Sequence, residues 1–174
     1  EKVNNLLKKY KKVTIIGSAK SGIGAAKLFK RNGFEVFLSE YSVQSRVDSA
    51  FVNEITEKGI EHEFGGHSSR VYDTDLLIVS PGVPQRSEVI RVATEKGIDI
   101  VSEVEAASWF CKGKIIAITG TNGKTTTTTL IGEIFKDAGF KTYVCGNIGK
   151  PFSEIAEDTD ENSIVVLETS SFQL

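Results

Sequence analysis

Residues 119–127 have the sequence TGTNGKTTT, which follows an apolar run and opens a segment with helical character. Gly120 and Gly123 allow backbone conformations that a Cβ would forbid, so consecutive N–H groups can turn toward anionic oxygens. Lys124 adds a mobile positive charge for the outer phosphates, and the Thr125 hydroxyl is a suitable ligand for Mg²⁺. The start of the following helix adds the positive end of its dipole. The stretch therefore predicts a nucleotide phosphate-binding loop between a strand and a helix.

The spacing of this loop departs from that of the standard phosphate loop, which carries a further glycine five residues before its Gly-Lys pair. Here that position holds Ile118, so the pattern is G-x-x-G-K-T. A plain turn is the alternative, but a turn alone does not require Gly, Lys and Thr in this order after a buried strand. Thr127, Thr128 and Thr129 lie too far into the helix to reach phosphate together, and we expect them to pack or cap locally. The residues expected to bind ATP are Gly120, Thr121, Asn122, Gly123, Lys124, Thr125 and Thr126.

Strand-like and helix-like segments alternate along the chain, which predicts an α/β fold with parallel sheets. The expected strands cover residues 13–16, 36–38, 61–64, 76–79, 98–101, 114–118, 142–144 and 164–167. The expected helices cover residues 21–32, 47–57, 87–96, 103–110 and 125–137. We place a domain boundary at Lys112, between a Rossmann-like domain (1–112) and the first part of an ATP-binding α/β domain (113–174). Three strands are few for an open α/β sheet, so we expect the core of the second domain to be incomplete.

The composition excludes several classes of protein. The 174 residues are 40% hydrophobic, and 21 basic and 23 acidic residues give a net charge of −2. Charges so evenly mixed provide no footprint for nucleic acid or an anionic membrane. No apolar stretch reaches the roughly 18 residues that a membrane span needs. We therefore expect a protein that binds neither nucleic acid nor membrane; a monomer is also expected, although the composition does not decide it.

The cysteines and histidines follow no pattern of a metal site. Cys111 and Cys145 fit neither a ligand spacing nor a disulfide framework, which favours a reducing cytoplasm. His62 and His67 fit no ligand or triad spacing, so we expect them at the surface. The lysines at positions 8, 9, 11 and 12 are expected to form a solvated helix end. Because the sequence has no methionine and ends just after a strand, we expect it to be part of a longer protein.

Residues 17–24, GSAKSGIG, occupy the place of a dinucleotide-binding loop, after the first strand and at the start of the first helix. Ala19 replaces the glycine that lets the backbone approach a pyrophosphate, which disfavours tight dinucleotide binding in the usual pose. The N–H groups at the helix start still suit an anion or a diphosphate. An equally weighted alternative is that Gly22 and Gly24 only permit close packing of helix on sheet. The candidate substrate-binding residues here are Ser18, Ala19, Lys20, Ser21 and Gly22.

Two further groups in the first domain lie at carboxyl ends of strands, where open α/β sheets bind their ligands. Glu40 ends the second strand, where an acidic group usually meets a ribose or a base edge. Ser80, Pro81 and Gly82 follow the buried strand 76–79. A surface carboxylate and a plain turn are the respective alternatives.

In the second domain Glu168 follows the strand 164–167. A carboxylate near a phosphate loop is well placed to hold Mg²⁺ that bridges nucleotide phosphates, together with Thr125. A helix-capping acid is the alternative. Asn147, in the turn GNIG, is a candidate hydrogen-bond donor to the substrate.

Three stretches together resemble the Mur ligase family of peptidoglycan synthesis: TGTNGKTTT at 119–127, GNIGKP at 146–151 and LETSSFQL at 167–174. Their order and spacing also fit. The SSFQL ending and SPGVP at 80–84 look most like the branch that adds D-glutamate. Relatives that add other amino acids, and folylpolyglutamate synthases, share the phosphate loop but generally not that ending. The resemblance is strong over residues 114–174 and weaker before them.

The resemblance implies an ATP-dependent amide ligase that phosphorylates the carboxylate of UDP-MurNAc-L-alanine and lets the amine of D-glutamate attack the acyl phosphate. Lys124 would then neutralise charge on the transferred phosphoryl group, while Thr125 and Glu168 would hold Mg²⁺. The first domain would bind the UDP part, with residues 18–22 near the diphosphate, Glu40 near the uracil or ribose, and residues 80–82 beside them. The muramoyl-alanine end, or the loop near it, would be contacted by Asn147, Ser170 and Gln173.

In the family, a histidine and a carbamylated lysine further along the central domain support a second Mg²⁺, and a third domain closes over ATP. Since these 174 residues do not include them, we expect no ligase activity from this stretch alone. Two alternatives stay open. One is a nucleotide-sugar-binding module without catalysis; the other is an NAD(P)-dependent oxidoreductase built on the first loop, against which Ala19 and the separate phosphate loop argue.

Overall fold

The computed structural model describes residues 2–171 and 173. Phe172 and Leu174 of the SSFQL ending therefore lie outside the described residues. The chain divides into two compact units, Glu1–Glu103 and Val104–Leu174. This division falls before the boundary expected at Lys112, because the segment that follows Ser108 is tied into the second unit: the Lys112 N–H donates to the Thr159 hydroxyl at 2.9 Å.

The first unit is a Rossmann-like α/β unit. Its strands are β1 (Lys12–Ile16), β2 (Glu35–Glu40), β3 (Glu61–Phe64), β4 (Leu76–Val79) and β5 (Asp99–Ser102). They form one parallel sheet in the order β3-β2-β1-β4-β5. Its helices are α1 (Lys2–Lys9), α2 (Lys20–Arg31), α3 (Ser49–Glu57) and α4 (Glu88–Glu95), with 3₁₀ turns at Gln44–Arg46 and Ser69–Tyr72. Because the strand order reverses at β1 and β4, the loops after these strands diverge and leave a crevice at the carboxyl edge of the sheet.

Helix α2 shows how the sequence positions the first loop. Ile23, Leu28 and Phe29 recur at helical spacing and are buried. The helix ends at Arg31, and Gly33, with φ of +89°, then turns the chain into β2. Phe34 packs edge-on against Phe29, with ring centroids 4.9 Å apart. The amino end of α2 is thereby fixed at the crevice.

The second unit has a smaller parallel sheet. Its strands are β6 (Lys114–Ile118), β7 (Thr142–Gly146) and β8 (Ile164–Glu168), in the order β6-β8-β7. Its helices are α5 (Glu103–Ser108), α6 (Lys124–Asp137) and α7 (Phe152–Ile155). All five residues of the central strand β8 are buried. Among the described residues of this unit, four large apolar side chains are exposed: Ile115, Leu130, Ile134 and Phe140.

The α/β class with parallel sheets is confirmed. The strands expected at 61–64, 76–79 and 114–118 coincide with β3, β4 and β6. Helix α7 was not expected, because it is too short to show a clear helical period, and α1 was expected only through a helix end at the lysines. Lys8 and Lys9 lie in the last turn of α1, as expected, whereas Lys12 belongs to β1. No helix within the described part of the chain is both long and apolar enough to cross a membrane.

Candidate functional site

The loop between β6 and α6 presents unpaired backbone donors. Gly123 has φ of +74° in the left-handed region and caps α6, whose first turn contains no acidic residue. Among the described residues, no acceptor is paired with the N–H groups of residues 120–123. These four residues are exposed. The loop therefore offers free donors and the positive end of a helix to an anion, the arrangement that binds phosphate.

Two charged side chains flank this loop. The ammonium group of Lys124 donates to the carbonyl oxygen of Gly120 at 2.8 Å, so the lysine lies back across the loop. Glu168 ends the central strand and is 5% exposed. The hydroxyl of Thr125 donates to Glu168 Oε2 at 2.7 Å.

The Thr125 and Glu168 oxygens are hard donors of the kind that Mg²⁺ prefers. In the described residues no cluster of three or more His, Cys, Asp or Glu side chains could hold a metal ion. Mg²⁺ commonly takes only one or two protein ligands and completes its shell with phosphate oxygens and water. The pair therefore fits a nucleotide-bound Mg²⁺ and does not resemble a closed protein site.

The residues after β7 and β8 are tied together at the same edge of the sheet. The Asn147 N–H donates to the Glu168 carbonyl at 2.9 Å. The Gln173 side-chain oxygen accepts bonds from the Asn147 amide at 3.2 Å, the Thr169 hydroxyl at 3.2 Å, and both the N–H and the hydroxyl of Ser170 at 2.8 and 2.9 Å. Asn147, Ser170 and Gln173, predicted as substrate contacts, thus form one cluster that organises the loops beside Glu168.

The crevice of the first unit contains a cavity of about 860 Å³. Its polar side is formed at the ends of β1 and β2 and by the loop after β3. Its other side lies along α4 and the turn Ser69–Tyr72, where Tyr72, Val89 and Val92 provide apolar surface. The lining residues include Ala19, Glu40, Tyr41, His67, Ser80, Gly82, Ser87 and Glu88.

Glu40 fastens the two loops on the polar side of this cavity. One carboxylate oxygen accepts bonds from the N–H and hydroxyl of Ser18, at 2.7 and 2.9 Å, and the other accepts from the Ser42 N–H at 2.8 Å. Burial raises the pKa of the Glu40 carboxyl, but the bonds donated by Ser42 and Ser18 outweigh it, so the pKa lies below the ordinary 4.5. The ionised group therefore stabilises the fold at neutral pH, and this contribution is lost as the pH falls through the lowered pKa.

Comparison with known proteins decides the family. Residues 12–89 match the model of the MurD N-terminal domain, and residues 118–174 match that of the Mur ligase middle domain. The chain belongs to the Mur ligase family.

Two curated relatives share the name UDP-N-acetylmuramoylalanine–D-glutamate ligase. The protein of Salinibacter ruber is 48% identical over 94% of this chain, and that of Chloroherpeton thalassium is 50% identical over 95%. This Mur ligase chain spans 36% of the length of either relative.

Solved Mur ligases share the fold. The UDP-N-acetylmuramate:L-alanyl-gamma-D-glutamyl-meso-diaminopimelate ligase of Neisseria meningitides superposes with a TM-score of 0.57 and 19% identity, over 94% of this chain and 55% of that one. The UDP-N-acetylmuramate-alanine ligase MurC of Thermotoga maritima gives 0.53 and 24%, over 91% and 37%.

Of the substrate-binding residues predicted in the first unit of this Mur ligase chain, some line the cavity and others do not. Ala19, Glu40, Ser80 and Gly82 line the cavity. Ser18 and Gly22 do not, because Ser18 is buried against Glu40 and Gly22 is buried against the backbone of Gly17. Lys20 and Pro81 are exposed and Ser21 is half-buried, and none of the three lines the cavity. For Gly22, the alternative of close helix packing is the one that the structure supports.

Several cavity residues were not predicted from the sequence, among them Tyr41. The surface position expected for His67 is wrong, because His67 is half-buried in the cavity wall. Its Nδ1 lies 2.7 Å from the hydroxyl of Ser39. Ser39 was the available signal, since it is a polar residue inside the apolar strand β2 and is fully buried.

Ser87 also lines the cavity, and its hydroxyl is buried without a hydrogen-bond partner among the described residues. It precedes α4, but its side chain caps none of the helix N–H groups. Since an unsatisfied buried hydroxyl is destabilising, we expect Ser87→Ala to raise the free energy of unfolding by about 1 kcal/mol in urea titrations.

Thr94→Val is the control for Ser87→Ala. It removes a hydroxyl in α4 that already donates to the Ile90 carbonyl at 2.8 Å, so no gain in the free energy of unfolding is expected. A loss of stability in Ser87→Ala would show that its hydroxyl has a partner in solution.

Proposed function

We propose that this chain is the nucleotide-binding part of an ATP-dependent ligase that joins D-glutamate to UDP-MurNAc-L-alanine. The observation that carries the proposal is the pairing of Thr125 with Glu168 at 2.7 Å, beside a loop with free N–H groups. The relatives' names support the choice of substrates. The proposal covers a longer ligase of which this chain forms a part, acting as a cytoplasmic monomer.

In the proposed reaction ATP is a substrate. The carboxylate of the muramoyl-alanine compound attacks the γ-phosphorus, ADP leaves, and an acyl phosphate forms. The amine of D-glutamate then attacks the acyl carbon, and inorganic phosphate leaves as the amide bond forms. Both steps build charge on phosphoryl oxygens, so positioning and electrostatics dominate catalysis.

The second unit supplies groups for the first step. The loop N–H groups would bind phosphate oxygens, and Lys124 would exchange its bond to the Gly120 carbonyl for one to the outer phosphates. Mg²⁺ would neutralise phosphate charge, held by Thr125 and Glu168. Asn147, Ser170 and Gln173 would keep the loop beside Glu168 in place for the acceptor substrate.

The first unit would bind the UDP part. The cavity has the size of a small-molecule site, and the amino end of α2 carries Lys20 and no acidic residue in its first turn. An anionic diphosphate is favoured at such a helix start. By contrast, α4 begins with Glu88, which disfavours an anion there. The diphosphate is therefore proposed beside Ala19, with Glu40, Ser80 and Gly82 around the rest of the nucleotide.

Calorimetric titration with UDP-MurNAc-L-alanine tests this assignment, and Ala19→Asp gives it a specific expected result. Ala19 is the N-cap of α2 and has extended backbone angles that suit an aspartate cap. The new carboxylate should leave the melting temperature unchanged or higher while it repels the diphosphate. We expect affinity for the UDP compound to fall at least about tenfold.

Ala19→Asn is the matched control, because it offers a comparable cap without the charge. Equal losses in both variants would contradict a diphosphate at this position. Binding of NADH instead of the UDP compound would overturn the proposed function in favour of an oxidoreductase. Binding of the UDP compound without ATP would favour a nucleotide-sugar-binding module. In the full-length ligase, repeated turnover with ADP release should require D-glutamate.

A further inference from the structure

A partly buried network of hydrogen bonds runs from Ser39 to the cavity wall, and the proposed function does not use it. The Ser39 hydroxyl donates to Glu63 Oε1 at 2.6 Å and lies 2.7 Å from His67 Nδ1. Glu63 Oε1 also accepts from the Ser68 N–H at 2.9 Å. Burial raises the pKa of the Glu63 carboxyl, but the hydrogen bonds from Ser39 and Ser68 lower it by more. The pKa therefore lies below its ordinary value, and Glu63 is ionised at neutral pH.

These hydrogen bonds determine the tautomer of His67. An ionised carboxylate only accepts hydrogen bonds, so the single hydroxyl proton of Ser39 is directed to Glu63. The remaining contact, from His67 to Ser39, then requires a proton on Nδ1. In neutral His67 this leaves Nε2 as an acceptor. Nε2 has no hydrogen-bond partner among the described residues.

His67 is neutral at physiological pH. Burial lowers the pKa of its imidazole below 6.5, and the negative charges of Glu63 on β3 and Glu40 at the end of β2 only partly oppose this. Across the cavity, α4 contributes the carboxylate of Glu88. His67 thus lines the cavity with a ring that is oriented through Nδ1 and that keeps Nε2 as an acceptor.

An aromatic surface lies beside this nitrogen. The ring of Tyr41 is 76% exposed, and its centroid lies 5.9 Å from that of His67. Both rings line the cavity. Exposed aromatic rings are favourable platforms for a planar base. Glu40 already holds Ser18 and Ser42 with its two oxygens, so His67 is the acceptor on this side that has no such task.

We propose that His67 is a specificity-determining residue that reads the base of the bound nucleotide, with Nε2 accepting a hydrogen bond from N3–H of uracil beside the ring of Tyr41. Ser39 and Glu63 are positioning residues that hold the required tautomer. The inference rests on the proposed function, since it takes the UDP part to occupy the cavity. Cytosine has an acceptor at N3. Opposite neutral His67, the lone pairs of N3 and Nε2 would repel each other, so binding of a cytosine nucleotide is disfavoured.

Protonation of His67 should weaken this preference. Imidazolium Nε2–H is a donor, which suits the N3 and O2 acceptors of cytosine and opposes N3–H of uracil. Affinities for UDP and CDP measured by calorimetry at about pH 8 and about pH 5.5 test this loss of preference. The ratio of the two affinities removes the titration of the diphosphate, which both nucleotides share. We expect UDP to bind about tenfold more tightly at the higher pH, and the ratio to approach one at the lower pH.

His67→Phe should bring the ratio close to one at both pH values, because it keeps a ring and removes the acceptor. His62→Phe is the control, since His62 bonds to the Ile60 carbonyl outside the cavity, and it should leave the ratio and its pH dependence intact. Ser39→Ala should retain UDP binding with a weaker preference. A ratio that is independent of pH in the wild type, or unchanged in His67→Phe, would overturn the inference.

A measurement on the wild-type chain avoids any folding defect of the variants. NMR titration should give His67 a lower pKa in the UDP complex than in the CDP complex, because the uracil N3–H favours the neutral ring. Equal pKa values, or the opposite order, would refute base reading by His67. Failure of the chain to bind either nucleotide would instead refute the proposed function.

Discussion

Gly22→Ala is expected to destabilise the first unit by at least about 3 kcal/mol, a large loss for one methyl group. A Cβ at position 22 would lie 1.9 Å from the carbonyl oxygen of Gly17 and 2.7 Å from the hydroxyl of Ser80. The first of these is backbone in the loop after β1, so it has little freedom to yield. Either α2 must move away from the sheet or the loop must change conformation. Urea unfolding, followed by hydrogen exchange of the β1 and β4 amides, would measure the loss.

Substitutions at two other glycines should cause smaller losses of stability and serve as comparisons. Gly132→Ala brings its Cβ to 2.4 Å from a methyl carbon of Val144, a side chain that has some room to adjust, so a smaller loss in the second unit is expected. Gly82→Ala meets nothing within 4 Å and has no positive φ, so its stability should match the wild type. Equal stability of Gly22→Ala and Gly82→Ala would show that α2 does not pack this closely in solution.

Lys124→Ala is expected to weaken MgATP binding about tenfold to a hundredfold, measured by calorimetry on this chain. The lysine is the charged group of the loop, and its present contact with the Gly120 carbonyl is exposed and readily exchanged for a phosphate. Lys136→Ala is the matched control. It removes the same charge from the last turn of the same helix, where Lys136 pairs with Glu133 at 2.8 Å. If both variants lost affinity equally, general charge and not the loop would account for the binding.

Glu168→Gln separates the metal from the phosphates in the same experiment. The amide oxygen can still accept from the Thr125 hydroxyl, so the local structure should persist. The carboxylate charge is lost, and Mg²⁺ should then strengthen ATP binding much less than in the wild type. An unchanged Mg²⁺ dependence would exclude Glu168 as a ligand.

The sequence predicted those features that depend on neighbouring residues. The run LLIV predicted both ends of β4 correctly. A four-residue apolar run between the polar residues Asp75 and Ser80 is typical of a short buried strand. The loop between β6 and α6 was predicted because glycine, lysine and threonine occur together in one short stretch after a strand; its binding of phosphate stays a prediction. Glu168 was predicted because its place at a strand end decides which edge of the sheet it occupies.

Features that depend on contacts between distant segments were not predicted. The contact of Ser39 with His67 joins residues 28 positions apart, and nothing near His67 in sequence indicates it. The contacts of Ser18 and Gly22 were not predicted for the same reason, since each has its partner on another segment: Glu40 on β2 and the carbonyl of Gly17. The domain boundary shifted because Lys112 bonds to Thr159, which lies 47 positions away.

Four hydrogen bonds converge on the Gln173 side-chain oxygen, so the residues that form them should differ strongly in how well they tolerate mutation. Loss of the Asn147 amide or of the Thr169 hydroxyl leaves three bonds in place, so the junction is redundant with respect to each donor. Gln173 has no such backup, because its replacement removes all four at once and leaves the donors without their shared acceptor. Random variation would therefore be accepted more often on the donor side of this junction than at its single acceptor.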